Sequence, residues 1–533
     1  MPDSADLLIT NGTVVDGSGA KGFAADVAVL DGRIQVIRDV ASRPPSVGTS
    51  IEASGKVVCP GFIDLHSHSG LWILAEPRHE PKVRQGVTTE LVGVDGNSYA
   101  PFRTREDLEA FVRLNGGLDG RPDLDHDWKS VASYLEKFDR GMAVNVAFVA
   151  GNSALRIGAL GWEDVPADDR ALDRMRGALR EAMEEGAYGV SSGLDYPPGS
   201  YASTDELAQL TAEAAKLGGI YHTHVRYTLG DRFLDPFREA IEIGARGGGP
   251  AHITHFYHRS GYPGGPELLL GLVEEARGRG QDVSYDSYPY EWASTRLLIQ
   301  LPQWVQAGGP MALLERLADR RVRDQLRGEV GNPGAASTST AGWADVRLGY
   351  FSTPANLTWE GRTLAEYMDA TGSDAVDAIC DLLLTEDLHV SQVTSGPTPD
   401  ALPRFVAHPV GMVGTDSTFL GAKPSPRTYG SFPRILGEFV REKRILGLEE
   451  AVRKMTSAPA ARLGLRDRGT LLDGAVADLV VFDPATVASL ATYEEPRRFP
   501  VGIEHVIVNG IAVVMDGEHT GALPGRGLRH GRD

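Results

Sequence analysis

The two ends of the chain alternate between apolar and polar positions, a pattern typical of half-buried β-strands. Near the N-terminus the runs are DLLITNGTVVDG, DVAVLDGRIQVI and SIEASGKVV, and Asn-Gly and Asp-Gly steps separate them as tight turns would. Near the C-terminus the runs are GAVADLVVFDP, GIEHVIVNGIAVVMDG and EHTGALPGR. The pattern predicts one small β domain formed from residues 1–58 and 466–533, with two unrelated β-hairpins as the alternative.

The middle of the chain, residues 59–465, changes to short apolar runs that alternate with helical patterns such as TDELAQLTAEAAKLG. Eight runs have the length and composition of buried strands. They lie at residues 57–66, 88–95, 145–151, 187–193, 219–225, 251–256, 282–288 and 411–416. Eight strand-then-helix units predict an α/β fold, a (β/α)₈ TIM barrel, in which functional residues lie where strands end.

Imidazole and carboxylate side chains stand at the ends of four of these predicted strands. The first run ends at His66 and His68, and the alternation of a strand directs both imidazoles to the same side. His224 lies near the end of the fifth run, His255 at the sixth and Asp416 at the eighth. These are the ligand types that zinc and similar ions prefer. The pattern therefore predicts a metal site at the mouth of the barrel.

Three further histidines lie close to these positions in the sequence. His222 precedes His224 by two residues and should face the same way but deeper. There it would either support a metal ligand through a hydrogen bond or pack as a core histidine. His252 and His258 flank His255 and are expected to be structural.

Composition narrows the classes of partner. The 533-residue chain is 42% hydrophobic and carries a formal net charge of −19, which argues against nucleic acids and anionic membranes. No apolar run approaches the roughly 20 residues of a membrane span, and the N-terminus shows no signal-peptide pattern. Cys59 and Cys380 do not suggest a disulfide framework. We expect a cytoplasmic protein that acts on a small molecule and could form a homo-oligomer.

Short motifs are spread over nearly the whole chain. GFIDLHSH at residues 61–68, RDRGTL at 466–471 and GAVADLVVFD at 474–483 resemble the opening and closing motifs of the amidohydrolase superfamily. Narrower matches are YPPGSYAST at 196–204, GIYHTHVR at 219–226, HITH at 252–255, DSYPY at 286–290, HPVGMVGTD at 408–416, RTYGSFPR at 427–434 and DGEHTGALPGR at 516–526. Together these segments resemble the N-acyl-D-amino-acid deacylase (D-aminoacylase) family.

The resemblance implies hydrolysis of N-acyl-D-amino acids to a carboxylate and the free D-amino acid by a metal-activated hydroxide. It implies a barrel with a β-sandwich from both termini and a small insert after the seventh strand, about residues 297–345. Metal ligation is assigned to His66, His68, His224 and His255, and acid–base catalysis to Asp416 beside the metal. The cofactor would be one or two zinc ions, with Mn²⁺ or Co²⁺ as substitutes.

The chain departs from the family pattern at four places. Asp95 stands where a metal-ligating cysteine is usual, and Asn-Ser at residues 152–153 where Gly-His-Gly ends the third strand. Tyr257 replaces a usual lysine and Ser425 a common histidine. These changes favour divergent specificity within the same reaction class. Asp95 is expected to ligate the metal and to bridge two ions with its two oxygens, or else to serve as a turn former.

Four residues are candidates for substrate binding. Arg226 follows His224 by two positions, and its guanidinium would suit a carboxylate at the barrel mouth or form an ion pair within the rim. Tyr196, Tyr288 and Ser294 are assigned on the resemblance alone.

Two alternative functions are a hydrolase of cyclic amides, imides or dipeptides, and an inactive scaffold that keeps the barrel for oligomer contacts. The complete ligand set argues against the scaffold.

Overall fold

The structure is a computed structural model that describes residues 5–39, 46–227, 230–330 and 342–533. The strands in this part of the chain are β1 Ala5–Val14, β2 Phe23–Leu30, β3 Arg33–Ile37, β4 Val47–Glu52, β5 Val57–Pro60, β6 Phe62–Asp64, β7 Val87–Val92, β8 Asn145–Phe148, β9 Ala150–Gly151, β10 Gly189–Gly193, β11 Ile220–His224, β12 Ala251–Ile253, β13 Val283–Ser287, β14 Trp292–Arg296, β15 Arg347–Tyr350, β16 Ser391–Ser395, β17 Gly411–Val413, β18 Leu479–Phe482, β19 Ile503–Val508, β20 Ile511–Met515 and β21 Glu518–His519.

Strands from both termini form one mixed sheet. Its order is β21-β20-β19-β18-β5-β1-β2-β3, with β4 also paired to β1. The two ends of the chain meet where β5 and β18 run antiparallel, with Cys59 opposite Val480. Apolar residues of both terminal segments, such as Ile9, Val27 and Leu479, pack into a common core. The β domain built from both termini is therefore confirmed.

Parallel strands between these segments form the barrel. One sheet has the order β6-β7-β8 and another β17-β13-β12-β11-β10-β9. β8 and β9 are one strand interrupted at Val149, so this strand joins the two sheets. The barrel closes between its first and last strands, where the backbone N–H of Asp416 donates to the carbonyl of His66 at 2.8 Å. The α/β barrel fold expected from the sequence is confirmed.

Helices alternate with the barrel strands. They are α1 Trp72–Ala75, α2 Glu80–Val83, α3 Arg105–Leu114, α4 Gly116–Asp119, α5 Val131–Phe138, α6 Asn152–Leu160, α7 Asp169–Glu184, α8 Thr204–Lys216, α9 Asp235–Gly247 and α10 Glu267–Gly278. The side chain of Ser203 caps α8 by accepting the backbone N–H of Glu206, and Leu207, Leu210 and Ala214 form its buried face. Within the described ranges no helix has the length and apolar character needed to cross a bilayer.

A segment between β13 and β17 forms a separate layer. It contains the antiparallel sheet β14-β16-β15 and helices α11 Gly309–Ala318, α12 Arg320–Leu326, α13 Leu364–Thr371 and α14 Ala375–Thr385. These elements pack around their own apolar cluster, which includes Leu313, Leu348 and Ile379. Residues 292–395 thus cover a wider range than the expected insert at 297–345, of which residues 331–341 lie outside the described residues.

The chain then returns to the barrel and the β domain. The last helices are α15 Leu402–Ala407, α16 Arg427–Arg434, α17 Leu448–Met455 and α18 Ser457–Leu463, and a π-helical stretch, Ile435–Glu442, follows α16 directly. The N-terminal turn of α16 lies close to the end of β17, so it brings its first residue beside the barrel mouth.

Candidate metal centre

Six side chains from the ends of five barrel strands converge at one place. Their imidazole nitrogens and carboxylate oxygens form two groups, each with all ligand atoms within 4.8 Å of one another. The first group is His66, His68, Asp95 and Asp416, and the second is Asp95, His224 and His255. All six residues are buried, and they are the six that the sequence singles out as ligands.

Asp95 is the residue shared by both groups. Its Oδ2 lies 3.3 Å from His66 Nε2 and 3.6 Å from His68 Nε2. The same oxygen lies 3.6 Å from His224 Nδ1 and 3.5 Å from His255 Nε2. A carboxylate in this position can contact ions on both sides, which supports the bridging role over the role of a turn former.

Asp416 lies on the side of the first group. Its Oδ1 is 3.5 Å from His66 Nε2 and 3.3 Å from His68 Nε2, and its Oδ2 is 2.8 Å from the guanidinium of Arg427. Burial raises the pKa of Asp416, but the charge of Arg427 and of the neighbouring histidines outweighs burial and holds this pKa below its ordinary value. Asp416 is therefore ionised at neutral pH and able to accept a proton.

The backbone turns sharply at three of these positions. Asp95, His255 and Asp416 have φ values of 53°, 34° and 48°, in the left-handed region that residues other than glycine rarely adopt. Each lies just after a strand, so the turn directs its side chain into the mouth of the barrel instead of along the strand. Such strained backbone is concentrated at functional sites, where the surrounding structure maintains it.

Each of the four histidines has a hydrogen-bond partner on its outer ring nitrogen. These partners are Asp286 on His66 at 3.4 Å, Asp119 on His68 at 3.0 Å, Asp195 on His224 at 3.0 Å and the Tyr227 hydroxyl on His255 at 2.8 Å. An acceptor at the outer nitrogen fixes the proton there and leaves the inner nitrogen free to bind a metal ion. The sequence interpretation missed all four partners, although Asp286 lies in the DSYPY motif at the end of a predicted strand.

Two of the three additional histidines lie beneath the ligands. His252 Nε2 is 3.0 Å from Asp286, the carboxylate that also contacts His66. His222 Nε2 donates to the backbone carbonyl of Leu65 at 3.0 Å. Both are fully buried and act as supports below the centre, whereas His258 bonds Thr398 at the edge of the mouth.

A buried lysine ties the first strand of the barrel to the last. Lys82 Nζ forms an ion pair with Asp64 and donates to the hydroxyls of Thr415 at 2.7 Å and Ser417 at 3.3 Å. Asp64 in turn accepts the backbone N–H of Thr415 at 3.0 Å. Because these contacts fix the residues on both sides of Asp416, they hold its carboxylate in place.

The four substrate-binding candidates divide into two sets. The ring of Tyr196 lies 4.8 Å from that of His224, and Tyr288 and Ser294 lie beside Arg427. Arg226 is placed differently, because its guanidinium donates to the carbonyls of Ser200 and Ala202 at 2.6 and 2.9 Å and faces Glu239 at 3.4 Å. These contacts favour the rim ion pair that was the alternative for Arg226.

Arg427 is a residue of the site that the sequence interpretation did not assign. It is fully buried, contacts Asp416 with one Nη, and stacks on Tyr288 with its Cζ 4.4 Å from the ring centroid. Its Nε and other Nη have no hydrogen-bond partner among the described residues. Its position in the RTYGSFPR motif was the only sequence signal. A buried guanidinium with two free donors is suited to a substrate carboxylate.

The donor set fits zinc or a similar divalent ion. Four imidazole nitrogens and two carboxylates match the preferences of such ions, and each group offers three or four donors. Burial lowers the pKa of His66, but the carboxylates of Asp95, Asp286 and Asp416 raise it to about 10 in the absence of an ion. A bound ion must displace that proton, so binding is coupled to pH.

Comparison with known proteins places the chain in a family. The model of the Amidohydrolase family matches residues 49–514. D-aminoacylase of Alcaligenes xylosoxydans xylosoxydans is 34% identical over 98% of this chain and 97% of its own, and N-acyl-D-glutamate deacylase of the same organism is 34% identical over 99% and 97%. A solved structure of N-acyl-D-glutamate deacylase from Bordetella bronchiseptica is also similar to this chain. It is 32% identical, with a TM-score of 0.80, and the match covers 99% of this chain and all of the other. That structure contains zinc and a phosphonate inhibitor that mimics the tetrahedral intermediate of the reaction. The chain therefore belongs to the amidohydrolase family, among the N-acyl-D-amino-acid deacylases.

Proposed function

We propose that the protein is a zinc-dependent hydrolase that removes the acyl group from N-acyl-D-amino acids. The observation that carries the proposal is the pair of ligand groups joined by Asp95, with the ionised carboxylate of Asp416 on one side. The relatives reported above are deacylases of this type, and one of them binds zinc together with a mimic of the tetrahedral intermediate. A cytoplasmic location and a homo-oligomeric state stay predictions from the sequence.

His66, His68, Asp95, His224, His255 and Asp416 are the residues that would hold the metal. A divalent ion bound there would polarise the amide carbonyl and lower the pKa of a water molecule. The outer partners hold the proton of each imidazole on its outer nitrogen and orient the ring, because each outer nitrogen contacts a carboxylate or hydroxyl oxygen. A bound ion would then take the place of any second proton on the inner nitrogen.

Asp416 is the proton carrier in this proposal. It accepts the proton of the attacking water and passes it to the leaving nitrogen, which is a poor leaving group until it is protonated. Arg427 keeps the carboxylate charged and oriented, and Lys82 fixes the strand end on which it stands. One group therefore serves first as base and then as acid.

Arg427 would also bind the α-carboxylate of the substrate. Two of its nitrogens have no partner among the described residues, and the hydroxyl of Tyr288 beside it has none either. The contact with Asp416 places this charge next to the proton carrier. A carboxylate bound by Arg427 would thus lie close to the scissile amide, as the α-carboxylate of an N-acyl amino acid does.

Arg427→Met is expected to raise KM for N-acetyl-D-leucine by roughly 10- to 100-fold, since a hydrogen-bonded charge contact is worth about 1.5–3 kcal/mol. The matching N-acetyl-D-leucinamide has no charge at that position, so the discrimination between acid and amide should disappear. Steady-state kinetics on both compounds tests this. The matched variant Arg226→Met should retain the discrimination, because Arg226 is held by backbone carbonyls of the rim. Equal discrimination in wild type and Arg427→Met would refute the role.

A substrate panel tests the proposed function as a whole. Zinc-loaded protein should hydrolyse N-acetyl-D-amino acids far faster than their L-enantiomers, hydantoins or dipeptides. Release of the free D-amino acid, followed by chiral chromatography, is the measurement. Preferred turnover of a hydantoin or dipeptide would favour the alternative amidohydrolase function, and no turnover in a zinc-replete sample would favour the inactive scaffold.

A further inference from the structure

Another buried arginine, Arg259, packs against tyrosines near the metal centre. Arg259 follows β12, is only 7% exposed, and its Cζ lies 3.8 Å from the ring centroid of Tyr227 and 5.2 Å from that of Tyr257. One of its Nη atoms donates to the hydroxyl of Tyr257 at 3.1 Å. Neutral aromatic groups therefore surround its positive charge.

No counter-ion for the charge of Arg259 is found in the part of the chain that the structure describes. Among the residues that the structure describes, no carboxylate lies within 4.0 Å of its guanidinium, and its buried Nε has no hydrogen-bond partner. Aromatic faces compensate part of the cost of burying a cation, but they do not replace an anion. Arg434 provides a contrast, because it also stacks on a tyrosine yet pairs with Glu291 and Glu438.

Arg259 is connected to the metal centre through the same tyrosines. The hydroxyl of Tyr227, whose ring it covers, bonds the metal-ligand candidate His255 at 2.8 Å. The ring of Tyr257 packs 5.6 Å from that of Tyr288, on which Arg427 stacks. Arg259 and Arg427 therefore each pack against one ring of a contacting tyrosine pair, and each has a donor nitrogen without a partner among the described residues.

Overall similarity does not reveal which amino-acid side chain the site accepts, because the two relatives with different substrate names are both 34% identical. The charged side chains near the metal centre do indicate which substrate side chain the site accepts. The whole chain has a net charge of −19, which repels a dianion, so a dianionic substrate needs a cation placed for its second charge. Arg427 would bind the first carboxylate of such a substrate. Among the described residues no carboxylate pairs with Arg259, so its charge is available for the second carboxylate.

We propose that Arg259, with the hydroxyl of Tyr257, is a specificity subsite for a second carboxylate on the substrate. The proposal rests on the proposed function and adds the substrate class, an N-acyl-D-amino acid that carries two carboxylates. That second group is the side chain of an acidic D-amino acid or the free end of a dicarboxylic acyl group. The flat guanidinium binds either by the same paired hydrogen bonds.

Two pairs of isosteric substrates test the subsite and identify the source of the carboxylate. N-acetyl-D-glutamate is compared with N-acetyl-D-glutamine, and N-succinyl-D-leucine with N-butanoyl-D-leucine. Wild type should prefer the dianion in one of the pairs. In Arg259→Met the ratio of kcat/KM for that pair should fall by roughly 10- to 100-fold, mainly through KM. Arg259→Lys should restore part of the ratio, and Tyr257→Phe should give a smaller decrease.

Arg434→Met is the matched control, because it removes a tyrosine-stacked arginine that already has carboxylate partners. It should leave the ratio unchanged. A wild-type preference for the neutral member of both pairs, or an unchanged ratio in Arg259→Met, would overturn the subsite. If none of the compounds is hydrolysed, the proposed function fails. The subsite can then still be tested by calorimetric titration of the same compounds into wild type and Arg259→Met, which shows whether Arg259 favours binding of the dianion.

Discussion

Asp416→Asn is expected to lower kcat by about 10²- to 10⁴-fold, the usual contribution of a general acid–base group. The asparagine side chain has nearly the same shape and can still contact Arg427, but it cannot accept a proton from the attacking water. Four histidines and Asp95 remain, so most of the metal should stay bound. Steady-state kinetics with N-acetyl-D-amino acids, together with metal analysis of the same samples, measures both effects.

Lys82→Met provides the comparison for Asp416→Asn. Lys82 touches Asp64, Thr415 and Ser417 but not the reacting atoms, so its loss should disturb the placement of Asp416 while leaving a proton carrier present. We expect its rate to fall less than that of Asp416→Asn. Retention of more than about a tenth of wild-type kcat by metal-replete Asp416→Asn would exclude Asp416 as the proton carrier.

Asp95→Ala is expected to lose at least one metal ion and most of the activity. Asp95 Oδ2 lies within 3.3–3.6 Å of nitrogens from all four histidines, so its removal takes a donor from both groups at once. Two divalent ions would then repel each other with less negative charge between them. Metal content after dialysis against limiting zinc, measured by elemental analysis, is the primary readout, and kcat is the second.

Thr254→Val is a control for Asp95→Ala, because Thr254 donates to the other oxygen of Asp95 at 3.2 Å without contributing to either ligand group. It should weaken zinc binding less than loss of the carboxylate. Asp95→Cys should recover part of the zinc, since a thiolate is also an anionic zinc ligand, and should bind manganese less well than wild type. Full metal content and near-normal rates in Asp95→Ala would leave Asp95 as a turn residue.

Most of the candidate ligands could be predicted from the sequence, because their positions follow from strand periodicity. His66 and His68 are two residues apart, and His224 and Asp416 come at or just after strand ends that short apolar runs identify. The closed barrel then brings these ends together, whatever the lengths of the connecting loops. Local pattern and topology were sufficient to predict that His66, His68, His224, His255 and Asp416 come together, whereas Asp95 was assigned through the family resemblance.

The surroundings of the ligands depend on loops and could not be predicted in this way. Asp119 reaches His68 from the helix α4, Arg427 enters at the start of α16, and Arg259 lies in the loop after β12. No periodic pattern indicates which loop residue folds over a strand end. For Arg226 the pattern gave the direction of the side chain but not the backbone carbonyls that would bind it.

The left-handed backbone at Asp95 and Asp416 also limits how this site can change in evolution. Aspartate and asparagine are among the few residues with a side chain that tolerate this conformation, and glycine, which tolerates it best, has no ligand atom. Glutamate would keep the charge but would meet a steric cost at the backbone and place its oxygens one methylene further out. Replacement of these two carboxylates is therefore limited to the small set of residues that the two bends accept, whereas loop residues such as Tyr257 and Arg259 are under no such backbone restriction.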